Sequence, residues 1–148
     1  MNNMKIKIMF LLLMMFFING CSNKDGVEMK VDEKMPTKII YRRMWEYAAE
    51  AESEDQELIK ELLQEINDIK LGNKTQMSVD DYTDVVIFEY SDGTYSKYIF
   101  EANIYVENED NRYEVIDGLS KLRKTLSSMI EEEWWRRLLK IIVQGCHY

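Results

Sequence analysis

The sequence predicts an α+β fold, an antiparallel sheet of about five strands with two helices packed on one face, in the order β-α-β-β-β-β-α. Three observations lead there. Segments rich in β-branched and aromatic residues gather in the middle of the chain around Asp92-Gly93, a favoured hairpin turn. Two stretches carry apolar residues at three- and four-residue spacing, one before that cluster and one after it. The 148 residues, 46% hydrophobic with one proline, suffice for one domain with a real core and are too few for two.

Ser22 to Pro36 is polar, contains Gly26 and the only proline, and reads as a tether of roughly 20 Å root-mean-square reach. Alternation of Val27, Met29 and Val31 leaves a short strand there as the other reading. Thr37 to Tyr47 (TKIIYRRMWEY) alternates Ile39, Tyr41 and Trp45 with Ile40, Arg42 and Met44, a strand pattern. A helix starting near Met44 competes, because WEYAAEAE has high helical propensity. The first helix follows. Ser53 with Gln56 makes a capping box, and Glu54, Asp55 and Glu57 suit the positive end of the helix dipole. Leu58, Ile59, Leu62, Leu63, Ile66 and Ile69 form its apolar stripe, and Gly72-Asn73 supplies a left-handed stop.

Thr83 to Ser91 (TDVVIFEYS) and Thr94 to Glu101 (TYSKYIFE) form a hairpin on Asp92-Gly93. A two-residue loop sets Tyr90 opposite Tyr95, Phe88 opposite Lys97 and Val86 opposite Ile99, with Val85, Ile87, Tyr98 and Phe100 on the other face. Both faces are then largely apolar. After a bend at Ala102-Asn103, a second hairpin joins Asn103–Glu107 to Arg112–Ile116 around Asn108-Glu109-Asp110-Asn111. It turns Ile104, Val106, Tyr113 and Val115 one way and sets Glu107 opposite Arg112 toward water. Asp117 caps a second helix whose stripe is Leu119, Leu122, Leu126, Met129 and Ile130, which closes the domain at residues 37–130.

Residues 131–148 form an amphipathic helical extension with Trp134, Trp135, Leu138, Leu139, Ile141 and Ile142 on one side and Arg136, Arg137 and Lys140 on the other. At about 100° per residue this stripe centres roughly 160° from that of Leu119 to Ile130. One straight helix cannot turn both stripes to the same core. Either the helix breaks near Glu131 and folds back over the sheet, or the second stripe faces something outside the domain: a membrane interface, a partner or a second copy. Trp134, Trp135, Leu138, Leu139 and Ile142 are the candidate interaction surface.

The amino terminus reads as an address. Lys5 and Lys7 precede a wholly apolar run from Ile8 to Ile18, the charged and hydrophobic regions of a secretory signal. Eleven apolar residues span only about 16 Å as a helix, half of a hydrocarbon core. Ile18-Asn19-Gly20-Cys21 follows, then polar sequence. Over residues 1–21 the chain resembles bacterial lipoproteins, whose lipobox places an aliphatic residue, small residues and an invariant cysteine in this order; Asn19 is larger than the usual Ala or Ser. The resemblance implies cleavage between Gly20 and Cys21, a diacylglyceryl group on the Cys21 thiol, and a protein held by lipid on the outer side of the cell membrane. Several buried acyl chains anchor durably where one does not. With Cys21 acylated, Cys146 has no internal disulfide partner.

Charge and composition exclude several functions. With 27 acidic against 19 basic residues the chain is unsuited to nucleic acid. Loss of residues 1–20 removes Lys5 and Lys7 and no acid, leaving 17 basic residues and a charge near −10. His147 is the only histidine, and it adjoins Cys146 at the frayed end of the chain, which makes no catalytic dyad. Asp80, Asp81 and Asp84 lack the spacing of a calcium loop, and Glu132 and Glu133 suit i,i+4 pairing with Arg136 and Arg137 better than acid catalysis. No phosphate loop, nucleophile elbow or Cys-x-x-Cys is present, so no metal and no cofactor is expected. Six tyrosines around the hairpins (82, 90, 95, 98, 105 and 113) suit cross-strand packing or an interface. The expectation is a non-enzymatic, membrane-anchored protein-interaction module; the alternative is a protective, immunity-type or inhibitor lipoprotein that sequesters a toxin or enzyme at the envelope.

Overall fold

The computed structural model describes Met29 and residues 34–44, 48–78 and 82–145. Strands cover Lys38–Met44 (β1), Ala49–Ser53 (β2), Lys70–Lys74 (β3), Thr83–Glu89 (β4), Tyr95–Glu101 (β5), Ile104–Val106 (β6) and Arg112–Asp117 (β7). Helices cover Gln56–Asn67 (α1) and Leu119–Gly145 (α2). Every strand pairing is antiparallel and the sheet order is β2-β1-β4-β5-β6-β7-β3, with α1 and α2 packed together on one face. The class is the expected α+β, with seven strands rather than about five.

The two additional strands come from segments whose local signals point elsewhere. Ala49–Ser53 has helix-favouring composition, yet it pairs with β1 as an edge strand. Ala51 tucks against Tyr41 in the core, while Glu50 and Glu52 on the opposite face bond Arg42 and Lys38 of β1. Tertiary pairing overrides propensity here. Gly72-Asn73 does not stop α1. That helix ends at Asn67 on a C-cap at Asp68, and the chain passes directly into β3, where Leu71 is buried opposite Val115. The register of β3 against β7 shifts twice, on either side of Leu71. A Cβ on Gly72 would lie 3.0 Å from the exposed Ile116 side chain, which would have to give by a few tenths of an ångström.

At the start of α1 the cap is Asp55, not Ser53. The Asp55 carboxylate accepts from the Glu57 and Leu58 amides at 2.9 and 3.4 Å, and Ser53, the last residue of β2, accepts from the Asp55 amide. The predicted stripe is otherwise in place, with Ile59, Leu62 and Ile66 fully buried.

Both hairpins differ from the predicted register by one residue. Ser91-Asp92-Gly93 is a three-residue loop: the Gly93 amide donates to Tyr90 O, Tyr90 N donates to Thr94 O, and Gly93 takes φ +79°. Val86 therefore pairs with Tyr98 and Phe88 with Ser96. The slip turns every β5 side chain to the other face. Val86, Phe88, Tyr98 and Phe100 now share the helix-covered face and are buried, while Ile87, Lys97 and Ile99 face out. In the second hairpin Tyr105 opposes Tyr113 and Val106 opposes Arg112, so Tyr105 and Tyr113 point inward and Ile104 and Val106 outward. Arg112 bonds Glu101 across the sheet rather than Glu107.

The core lies between this inner face and the two helices, where Ile39, Tyr41, Phe88 and Phe100 meet Ile59, Leu62, Ile66, Leu122 and Leu126. Each such side chain contributes roughly 1.5–3 kcal/mol through burial. Met29, from the segment before β1, joins the same cluster.

Helix α2 is continuous through Glu131 to Gly145 and spans about 40 Å. The break near Glu131, one of the two readings above, does not occur. The helix follows Gly118, whose φ of +93° and close approach to the Ile69 backbone admit no side chain. Asp117, the predicted cap, accepts only from the adjacent Gly118 amide. From there α2 crosses the sheet, with Arg123 over β4, Ser127 over β1 and Glu133 beside the edge strand β2. Its remaining turns overhang that edge.

Candidate functional site

The overhanging part of α2, Glu131–Gly145, has two unlike sides. Leu119, Leu122, Leu126 and Met129 fix which side of the helix faces the sheet, and helical periodicity carries that direction on to Glu133, Arg136, Arg137 and Lys140. Those four residues, with Lys38, the β2 residues Glu50, Ala51, Glu52 and Ser53, and Glu54 just after the strand, line a groove of about 600 Å³. Glu133 bonds Arg136 at 2.9 Å and Arg137 at 2.8 Å, so Arg136, expected on Glu132, shares the carboxylate of its neighbour. The Arg137 bond, with Arg136 beside it, holds Glu133 below the usual carboxylate range. On the far wall Lys38 and Glu52 pair at 2.6 Å, and that bond raises the Lys38 ammonium above its ordinary value. The groove is therefore lined by four cations and four anions, and one wall is the outer edge of a terminal strand. Backbone groups on such an edge are free to pair with an extended segment.

The other side of the arm is apolar and faces away from the domain. Trp134 and Trp135 are each 56% exposed, Leu139, Ile141, Ile142 and Val143 are more than half exposed, and Leu138 is half-buried. The two indoles meet edge to face at 4.9 Å. Together these side chains present apolar area on the order of 600 Å², at the upper limit for a monomer surface that meets nothing. The structure thus brings Trp134, Trp135, Leu138, Leu139 and Ile142 into one continuous face.

A second polar cluster lies inside the fold. Asp84 is fully buried on β4. It accepts from Tyr41 Oη at 2.6 Å and Arg123 Nε at 2.7 Å, with Arg43 at 4.0 Å. Arg43 also donates to Tyr41 Oη and to Ser127 Oγ; Arg123 reaches the Ala102 carbonyl and lies 4.6 Å over the Tyr82 ring. Burial, then the Asp84 hydrogen bond, pushes the Tyr41 phenol well above its ordinary value. Arg123 ties β4 to α2, Arg43 through Ser127 ties β1 to it, and Tyr41 joins the two strands, which makes the cluster a fastening that aims the helix across the sheet. Nearby, Glu65 of α1 is buried between the helices and accepts from Thr125.

Among the described residues no group of three or more His, Cys, Asp or Glu is placed to hold a metal ion, and no helix is long and apolar enough to cross a membrane. Gly20, Cys21 and the rest of the leader, together with Asp80, Asp81, Cys146, His147 and Trp45, lie outside the described residues. The groove was missed from sequence because β2 was. The signal that marks it is the alternation of Glu50 and Glu52 at the two-residue period of Lys38, Ile40 and Arg42. No protein-family model, no curated protein and no solved structure matches this chain.

Proposed function

We propose that this chain is an extracytoplasmic lipoprotein, anchored to the cell membrane through acylated Cys21, that works without catalysis by engaging another protein. The observation that supports this reading is the slot between the edge of β2 and the polar side of the α2 arm. An extended segment of a partner adds there as an eighth strand: backbone hydrogen bonds to β2 supply affinity and the mixed charges of Lys38, Glu50, Glu133, Arg136 and Lys140 supply selection. The arm roofs the added strand. The lipobox residues Ile18, Gly20 and Cys21 supply the address.

A photoreactive phenylalanine analogue at Glu54, on the groove wall, tests the idea in intact cells. The expected product is a covalent adduct between this chain and a second polypeptide in the membrane fraction. Adducts to lipid alone refute the slot. A Cys21→Ser chain that fractionates with membranes as wild type does, both retaining Met1, refutes the anchor.

A further inference from the structure

We infer that the apolar side of the α2 arm docks onto a zwitterionic lipid surface, lying in the headgroup region with Trp134 and Trp135 inserted. This goes beyond the protein-binding slot, which uses the opposite side of the arm, and it rests on the reading of Cys21 as the anchor.

Shape comes first. The arm is a rigid continuation of a packed helix, so its apolar stripe is held in place before it meets anything. An amphipathic helix with tryptophans on one side and Arg and Lys on the other is the form that lies in an interface and does not span it. The mean hydropathy of α2 agrees, since no helix among the described residues is apolar enough to cross.

Charge selects the lipid. The chain carries −8 overall, and Arg136, Arg137 and Lys140 lie on the groove side of the arm, where Arg136 and Arg137 pair with Glu133. An uncharged, zwitterionic surface does not repel such an acidic body, and the apolar stripe with its two indoles supplies the insertion. A second copy of the chain is the weaker occupant, because two bodies of the same negative sign repel as their arms meet.

Reach completes the argument. Met29 is packed into the core cluster, and only eight Cα-to-Cα steps separate it from Cys21. Fully extended, they span at most about 28 Å. An acylated Cys21 therefore confines the body to the membrane surface, where a weak surface affinity acts at high effective concentration.

The test uses the full chain acylated at Cys21, with Trp45→Phe so that emission reports only on Trp134 and Trp135. It is reconstituted into phosphatidylcholine vesicles, whose zwitterionic surface does not repel the acidic body. Compared with the protein away from vesicles, emission is expected to shift blue by about 10 nm and to be quenched by brominated acyl chains. Adding Leu139→Asp and Ile142→Asp, exposed positions outside the core, should abolish the shift with folding unchanged. Tryptophans that ignore lipid while the protein still floats with vesicles overturn the docking and leave the anchor standing. Emission that is already blue without lipid, with a doubled sedimentation mass, overturns it in favour of a dimer. In a Cys21→Ser chain, a lipid response that persists at higher lipid concentration supports the docking by the arm itself, whether or not the anchor reading survives.

Discussion

Asp84→Ala removes the acceptor on which Tyr41, Arg123 and Arg43 converge. The Tyr41 hydroxyl, in a fully buried side chain, loses its 2.6 Å bond, and an unsatisfied buried donor costs about 1–3 kcal/mol. The two guanidinium groups sit on side chains that are 21% and 23% exposed, so water relieves part of their loss. Arg123 keeps the Ala102 carbonyl and Arg43 keeps Ser127. Breaking a buried pair from one side typically costs 3–5 kcal/mol, and these partial compensations place the expected loss near the middle, about 4 kcal/mol. For a domain of this size that lowers Tm by about 15 °C. Urea unfolding followed by far-UV circular dichroism measures it directly, as a lower midpoint at unchanged m. Asp84→Asn, which keeps an acceptor for Tyr41 and gives up the charge, should fall between wild type and Ala. A double-mutant cycle with Arg123→Ala should show coupling above about 1 kcal/mol. A loss below about 1 kcal/mol for Asp84→Ala, or additive single losses, refutes the view that this cluster fastens α2 to the sheet.

Three further outcomes follow from the same geometry. Because the folded state holds the Tyr41 phenol above its ordinary value of 10.0, stability is full below that pH and falls as pH rises beyond it. Tyr41→Phe should flatten that alkaline decline in urea midpoints measured from pH 9 upward, and an unchanged slope would exclude Tyr41 as its source. Gly118→Ala should destabilise more than Gly93→Ala: both have positive φ, but a Cβ at 118 lies 3.0 Å from Ile69 Cα and one at 93 meets nothing within 4 Å. The Gly93 change should cost about 1 kcal/mol in thermal unfolding, and equal losses at the two sites would contradict the packing. Asp55→Ala should cost about 1 kcal/mol as a lost helix cap, against little for Ser53→Ala, and the reverse order would restore the capping box at Ser53.

The sequence signals that held are those that need no partner. The stripe of α1 and the phase change of α2 at Glu131 are read from spacing alone, and both are in the structure. Register was not legible, because Asp-Gly closes a two-residue loop and also ends a three-residue one; the choice depends on which faces the helices cover. β2 was hidden for a related reason. AEAES favours a helix until Tyr41 offers Ala51 a place in the core and Arg42 and Lys38 offer its glutamates partners. Asp84 could not be recognised as buried, since its partners lie 43 and 39 positions away. Of the arm, the residues were legible and their direction was not: whether the stripe folds back is decided by the rigidity of an unbroken helix anchored through Arg123 and Ser127.

The two ends of the sheet are unequal, and this limits how the molecule assembles. At β3 the strand is kinked by two register shifts around Leu71 and contains Gly72, so it makes a poor template for another strand. Among the described residues the β2 end is the edge that can accept one. Any association by strand addition is then spent after a single step: it closes as a one-to-one complex or a two-fold pair and cannot propagate into a fibre, however crowded the surface on which the copies stand.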